Sequence, residues 1–589
     1  MTTRSSGSRS GVLALLFVFL ATAGCRNDAK PNPPQPVPAP GPITPAPPVA
    51  PPTSSIRFRD ATQDWGMDFT RDDAIGRFHS ILESNGGGVG VLDFDMDGWP
   101  DLLLTNGCPL PQSSPAVRVP DALFRNFAGT RVAASGAQAG VAGVGYHHGC
   151  TVGDWNSDGF PDLYVAGLGK NLFYVNQGDG TFTEAAAELG VEGGAWSSSP
   201  VLADLDGDGF LDLYVTNYVQ TGDAPLRLCP NPQAPDGYIT CPPTVFEGAP
   251  DVCFRSDGAG GFHDVTREWN LVGDAPKGLG CVVADLDQNG FPDIYIANDG
   301  VPNYCFMRAS YQEPFQNEAL LRGVALDAEG RAQGSMGIAI GDVDGNGWLD
   351  LLITNFYLEP NAYYEATGQG DFLEVTKRAN LVAASIPMLG FGTLFIDPDN
   401  DGGLDLFVAN GHVDDTRWRL ASVPYQMLPQ MFQNMQNGKF EEVTASSGDY
   451  FQKKRLGRGV ASVDLNRDGR VDLVVSQQLD RSSIVLNETP SPGKFLSVRC
   501  VGTVSNRSAI STKFWLETDH KTQYHEIVGG SSYNSAPDLR AHFGLGSTTP
   551  KSLKVQWLSG RVDTFPDIQP GQYTLVEGQG LFPDPAIIP

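Results

Sequence analysis

One nine-residue pattern constrains this chain more than any other feature: Asp-x-Asp/Asn-x-Asp/Asn-Gly-x-x-Asp, which occurs seven times. Its members are Asp93, Asp95, Asp97 and Asp101; Asp154, Asn156, Asp158 and Asp162; Asp204, Asp206, Asp208 and Asp212; Asp285, Asp287, Asn289 and Asp293; Asp342, Asp344, Asn346 and Asp350; Asp397, Asp399, Asp401 and Asp405; and Asp464, Asn466, Asp468 and Asp472. Oxygen ligands on alternate residues, with glycine at the sixth position for a sharp turn, are what a Ca2+ loop requires. Position twelve lacks the bidentate glutamate of helix-flanked calcium loops, and the aspartate at position nine takes its place. A turn needs one such carboxylate, whereas four converging ones repel unless a cation lies among them. These residues are therefore the expected metal ligands, for up to seven Ca2+ ions.

Each pattern lies between two apolar stretches rich in β-branched and aromatic residues, such as SPVLADLD before the third loop and LDLYVTN after it, so the loops join strands. Further segments of the type NLFYVNQGDG and TFTEAAAELGV bring each unit to four strands. The first aspartates stand 61, 50, 81, 57, 55 and 67 residues apart. A unit of about 50 residues with insertions has the period of a propeller blade. The expected fold is all-β: a seven-bladed β-propeller with calcium loops over residues 54–489, a small C-terminal β-domain over 490–575 and a tail over 576–589. The seventh unit lacks a fourth strand and the folded chain begins with an orphan one. Residues 56–62 are thus expected to pair with 482–487 and close the ring.

The Asp loops with GDGTF-type hairpins resemble FG-GAP/VCBS repeats, the propeller repeat also found in integrin α-subunit heads. Ser505-Asn506-Arg507, the run Gly529-Gly530-Ser531-Ser532-Tyr533-Asn534-Ser535, His542-Phe543-Gly544-Leu545-Gly546 and Val555-Gln556-Trp557-Leu558-Ser559-Gly560 resemble an ASPIC/UnbV domain. As a whole the chain is similar to bacterial relatives of cartilage acidic protein. Ser511-Thr512-Lys513 departs from the Gly-Ala-Arg usual in that family. The resemblance names the C-terminal domain without assigning it an activity.

Residues 1–25 read as a lipoprotein signal peptide: Arg4 and Arg9 precede an apolar run over 12–21 that is too short to span a membrane. Thr22-Ala23-Gly24-Cys25 resembles a bacterial lipobox, which makes Cys25 the lipidation candidate; a secretory cut after Ala23 is the alternative. Arg26 points to the outer membrane by the family sorting rule. Between Pro31 and Pro52, 12 of 22 residues are proline, so the 26–53 linker is expected to be a polyproline II stalk of roughly 70 Å at about 3.1 Å per residue. The chain is accordingly expected to be extracytoplasmic, touching membrane only through its anchor. A net charge of −28 argues against nucleic acid or an anionic membrane surface as partner. Besides Cys25 there are Cys108, Cys150, Cys229, Cys241, Cys253, Cys281, Cys305 and Cys500, an even set for an oxidising compartment. Cys229 and Cys241, both in the long insertion of the third unit, are the expected disulfide.

The sequence holds no GxSxG elbow, HExxH helix or phosphate loop, and it presents no catalytic constellation. The glycine-rich run from Asn85 to Gly90 mimics a nucleotide loop but leads into a strand. His147, His148, His412 and His542 are candidates for a transition-metal or acid/base site, against the alternative that they hydrogen-bond loop backbone. The expected function is a calcium-binding, surface-anchored binding or adhesion module for a protein or glycan partner. Two alternatives stand beside it: a calcium-dependent polysaccharide lyase or hydrolase, with Trp196, Arg417 and Trp418 as loop candidates, and a structural component of an envelope assembly.

Overall fold

A computed structural model describes residues 54–73, 79–109, 119–221, 227–258 and 260–584; Cys25 and the proline-rich linker lie outside them. Every Asp loop is the connection of an antiparallel hairpin in one fixed register, the residue before the first aspartate pairing with the ninth-position aspartate. The pairs are Leu92 with Asp101, Gly153 with Asp162, Ala203 with Asp212, Ala284 with Asp293, Gly341 with Asp350, Ile396 with Asp405 and Val463 with Asp472. The outgoing strands Asp101–Leu104, Asp212–Asn217, Asp293–Asn298, Asp350–Ile353, Asp405–Asn410 and Asp472–Gln478 are buried along their whole length. A strand covered on both faces reads as a continuous apolar run, which is why LLL, DLYVT and DLFVA lack polar alternation.

Among the described residues, and apart from a two-stranded ribbon in the third unit's insertion, the hydrogen-bonded sheets of the propeller number six, against the seven units expected. Five have four strands, and the sixth has eight because two neighbouring units are fused: Lys170 pairs with Gly193 and Leu168 with Trp196, where one unit's outgoing strand runs beside the next unit's incoming strand. The incoming strands of successive units touch, and the last, Leu456–Val463, touches the first, Val89–Leu92. The units thus form a closed ring, a β-propeller. Closure is made by Phe58–Asp60, with Phe58 opposite Asn487, Arg59 opposite Leu486 and Asp60 opposite Val485, as the orphan first strand requires.

The C-terminal domain consists of two four-stranded sheets. Lys494–Val501 lies between Ala541–Gly546 and Gly571–Val576, running parallel to the latter. The other sheet is built on Lys513–Glu517 and Ser552–Gln556. The segment assigned to a tail contains one more strand, Gly580–Pro583, paired with Gly571–Val576. Gly578 and Gly580, at φ 72° and 126°, permit this tight reversal, so the domain extends to residue 583.

Residues 529–536 leave this domain as a strap through the centre of the ring. Gly529 and Val283 exchange backbone hydrogen bonds of 2.7 and 3.0 Å, and Ser532 and Ile338 exchange bonds of 2.6 and 2.9 Å. Ala536 donates to Val89 at 2.8 Å and accepts from Val91 at 3.0 Å, while the Cys150 N–H donates to the Asn534 carbonyl at 3.1 Å. Incoming strands of four units therefore satisfy axial backbone groups on one segment, where water would otherwise be needed. Tyr533 is fully buried there, its ring centroid 5.0 Å from that of Phe391. A side chain at Gly86, Gly87 or Gly88 would collide with Arg71, Ser476 or the Asn534 carbonyl respectively. The glycine-rich run is thus a close-packing device at the hub.

Replacing Tyr533 with Ala is expected to cost about 3–5 kcal/mol, the range for large buried aromatics. Urea denaturation of the full chain measures it; a loss under about 1 kcal/mol would mean that the strap is peripheral to the ring's stability.

Candidate metal centre

In all seven loops the sixth-position glycine N–H donates to Oδ2 of the first aspartate, at 2.7–3.1 Å. Those glycines lie at φ 82–100°, where a side chain would be strained. The fifth-position side chain turns back to accept from the seventh N–H at 2.7–3.0 Å in every loop. The ninth-position aspartate has a different task. In six loops its Oδ1 accepts from an N–H of the third strand at 2.7–2.9 Å, and in six its Oδ2 accepts from the second loop N–H at 2.8–3.2 Å. The exception to the second bond is the sixth loop, where Pro398 has no N–H and Asp405 Oδ2 is left without a partner.

Three carboxylates come within 4.8 Å of one another in four loops: Asp93, Asp95 and Asp101; Asp204, Asp206 and Asp212; Asp285, Asp287 and Asp293; and Asp397, Asp399 and Asp401. The expectation of four converging ligands per loop is corrected: where four carboxylates are present, one lies outside the cluster, Asp97 in the first loop, Asp208 in the third and Asp405 in the sixth. Asn156 and Asn466 leave the second and seventh loops one carboxylate short, and Asn346 does so in the fifth. Buried oxygens without a donor are Asp93 Oδ1, Asp95 Oδ1, Asp293 Oδ1, Asp342 Oδ1, Asp399 Oδ1 and Asp405 Oδ2. Hard acceptors left unpaired in a buried acidic loop fit a hard divalent cation.

The electrostatics agree. Burial, with neighbouring carboxylates adding to it, lifts Asp93 and Asp154 to about 6, Asp204, Asp342 and Asp464 to about 7, and Asp101 to about 8. Burial holds the other ninth-position aspartates well above the usual carboxylate range.

The C-terminal domain sits on this end of the ring. Ser508 Oγ accepts from the Asp154 N–H at 2.9 Å, Gln572 donates to Asp464 Oδ2 at 3.2 Å, and the Gly546 N–H donates to the Asn400 carbonyl at 2.6 Å. One apolar cluster holds Leu202, Leu205 and Val283 of the propeller together with Phe514, Phe543 and Trp557 of the domain. None of these contacts has a signal in the repeat pattern.

The four histidines do not converge. His147 Nδ1 is 2.7 Å from Asp121 Oδ2, His148 packs between Tyr146 and Trp196, His412 Nδ1 accepts from the Asp414 N–H at 3.1 Å, and His542 Nε2 is 2.8 Å from Asn400 Oδ1. Trp196 is also a correction: at 2% exposed it is core, because its strand turns it into the hub, and it presents nothing to a ligand. Trp418 and Arg417 instead line a cavity of about 640 Å3 with His79, Asp236, Tyr238 and Tyr425. It lies at the ends of the strands remote from the Asp loops, since residues 411–427 follow the outgoing strand Asp405–Asn410. Cys229 and Cys241 form a disulfide with Cα atoms 5.2 Å apart, and Cys150, Cys253, Cys281, Cys305 and Cys500 are buried thiols.

Comparison with known proteins places FG-GAP-like repeats at residues 154–215 and 397–475 and an ASPIC and UnbV domain at 502–581. Over 328 residues the chain is 24% identical to cartilage acidic protein 1 of Mus musculus, an alignment covering 54% of this chain and 48% of that protein. The Homo sapiens protein gives 24% identity with 54% and 47% coverage. The chain thus spans about half the length of these curated relatives. Among solved structures, an Agrocybe aegerita lectin recognising non-reducing terminal N-acetylglucosamine aligns at 15% identity and TM-score 0.35, covering 61% of this chain and 79% of its own. A Trypanosoma rangeli sialidase aligns at 10% and 0.34, covering 63% and 56%.

Carboxylates whose folded pKa is raised favour the folded state below their unfolded pKa of about 4 and lose that contribution as pH rises through the folded value. In chelator, the melting temperature is therefore expected to fall by several degrees, roughly, between pH 5.5 and 8, and millimolar calcium is expected to abolish the slope. Equal slopes with and without calcium would contradict a cation at these carboxylates.

Proposed function

We propose that this chain is a calcium-binding, surface-anchored propeller of FG-GAP-like repeats that acts as a binding or adhesion module. The observation that carries the proposal is the placement of the ASPIC/UnbV domain. It covers the Asp-loop end and fills the hub through Tyr533, leaving the opposite end of the ring for a partner. At that end the disulfide-braced insertion and residues 411–427 frame the cavity with Trp418, Tyr238 and Arg417. Half-exposed aromatic rings beside a guanidinium suit the faces and hydroxyls of a glycan or the side chains of a protein. Calcium in this reading is structural, neutralising the Asp loops so that each hairpin holds its third strand. An extracytoplasmic site supplies calcium permanently at the affinities of extracellular modules, about 10⁻⁴ to 10⁻³ M. The anchor proposed for that site is an acylated Cys25, in the outer membrane; among the described residues no helix is long and apolar enough to cross a membrane.

A second proposal, a polysaccharide-active enzyme, draws on a different cavity of about 490 Å3, where Asp93 of the first loop faces Arg499 and Arg507. A loop-bound cation beside two guanidiniums suits an acidic sugar.

Screening purified surface polysaccharides and proteins against the full chain separates these readings. Trp418→Ala is expected to weaken ligand binding by about tenfold or more with the melting temperature unchanged. Unchanged binding in Trp418→Ala, together with loss of binding or ligand turnover in Arg499→Ala, would replace the first reading with the second.

A further inference from the structure

Lys513, at the turn where the sequence departs from its family, reaches from the C-terminal domain into the fourth Asp loop. Its ammonium donates to Oδ2 of Asp285, and the two residues are 6% and 2% exposed. Glu526, directly opposite Lys513 in the adjacent strand, accepts the Asp285 N–H at 2.9 Å and the Tyr524 hydroxyl at 3.0 Å. One cross-strand pair thus delivers both a cation and a carboxylate to the loop. Among the described residues, the ion pairs of the other loops fall on third- or fifth-position side chains: Arg125 with Asp95 and Asp97, Arg255 with Asp206 and Arg470 with Asp468. Among the described residues, Asp285 is the one first-position aspartate in an ion pair.

We propose that Lys513 is the resident cation of the fourth loop, so that this loop takes Ca2+ more weakly than the first, third and sixth. The inference rests on the calcium reading above. A divalent ion at Asp285 would face a fixed ammonium a few ångströms away, in surroundings too buried for salt to screen the repulsion. The ammonium in turn is held there by buried carboxylates, since removing either partner leaves an uncompensated buried charge. The consequence is a latch between domain and ring that stays closed when calcium leaves the other loops.

Native mass spectrometry of the full chain during a calcium titration tests this. Below saturation, Lys513→Met is expected to carry one more Ca2+ than the unmodified chain. Asp285→Asn is expected to leave the count unchanged, whereas Asp204→Asn lowers it by one. Loss of one ion on Asp285→Asn overturns the inference while leaving the calcium reading intact, and if Lys513→Met fails to fold, the Asp285 and Asp204 variants decide alone. A chain that takes up no calcium in any form overturns both.

Discussion

The ninth-position aspartate is the interaction on which the ring depends. Buried at the mouth of each outgoing strand, it ties the loop to itself through one oxygen in six loops and to the third strand through the other in six, and Asp212 shows both bonds. Hydrogen bonds to a charged acceptor contribute about 1.5–3 kcal/mol each, but the charge is stable in such surroundings only if something offsets it. The backbone N–H groups offset part. The unpaired oxygens of Asp93, Asp95 and Asp399, at the first and third positions of their loops, are where a hard cation would fit. Under the calcium reading, metal binding and strand pairing meet at one carboxylate in the first and third loops, where the ninth-position Asp101 and Asp212 belong to the Asp clusters.

A ring of such hairpins still has an open centre and one acidic end, and the C-terminal domain addresses both. Its strap from Gly529 to Ala536 pairs with incoming strands across the axis, and its sheets lie over the Asp loops. The same arrangement explains how Lys513 reaches a loop more than 200 residues earlier in the chain.

What was legible in the sequence is what local chemistry dictates. The Asp-x-Asp-x-Asp-Gly spacing specifies a ligand loop, the uninterrupted apolar runs specify strands covered on both faces, and the missing fourth strand of the last unit specifies Phe58–Asp60 as its completion. What was not legible depends on partners distant in sequence. Gly529 to Ala536 has the composition of a loop, and only the axis of the ring makes it a strap. Trp196 looked available to ligands because its strand's extension into the hub has no local signature. The fifth-position side chain bonds the seventh N–H in every loop, yet Asp401 joins its cluster while Asp97 and Asp208 stand outside theirs, a difference with no counterpart in the repeat pattern. Gly580–Pro583 read as a tail because four residues past a glycine pair carry too little pattern to declare a strand.

The most direct measurement is a crystal structure of the protein grown with calcium, with diffraction recorded at long wavelength to locate Ca2+ by anomalous scattering. The account predicts peaks between the carboxylates of Asp93, Asp95 and Asp101, of Asp204, Asp206 and Asp212, and of Asp397, Asp399 and Asp401. Loops that keep their hairpin geometry without anomalous density, their aspartates bonded to water alone, would contradict it.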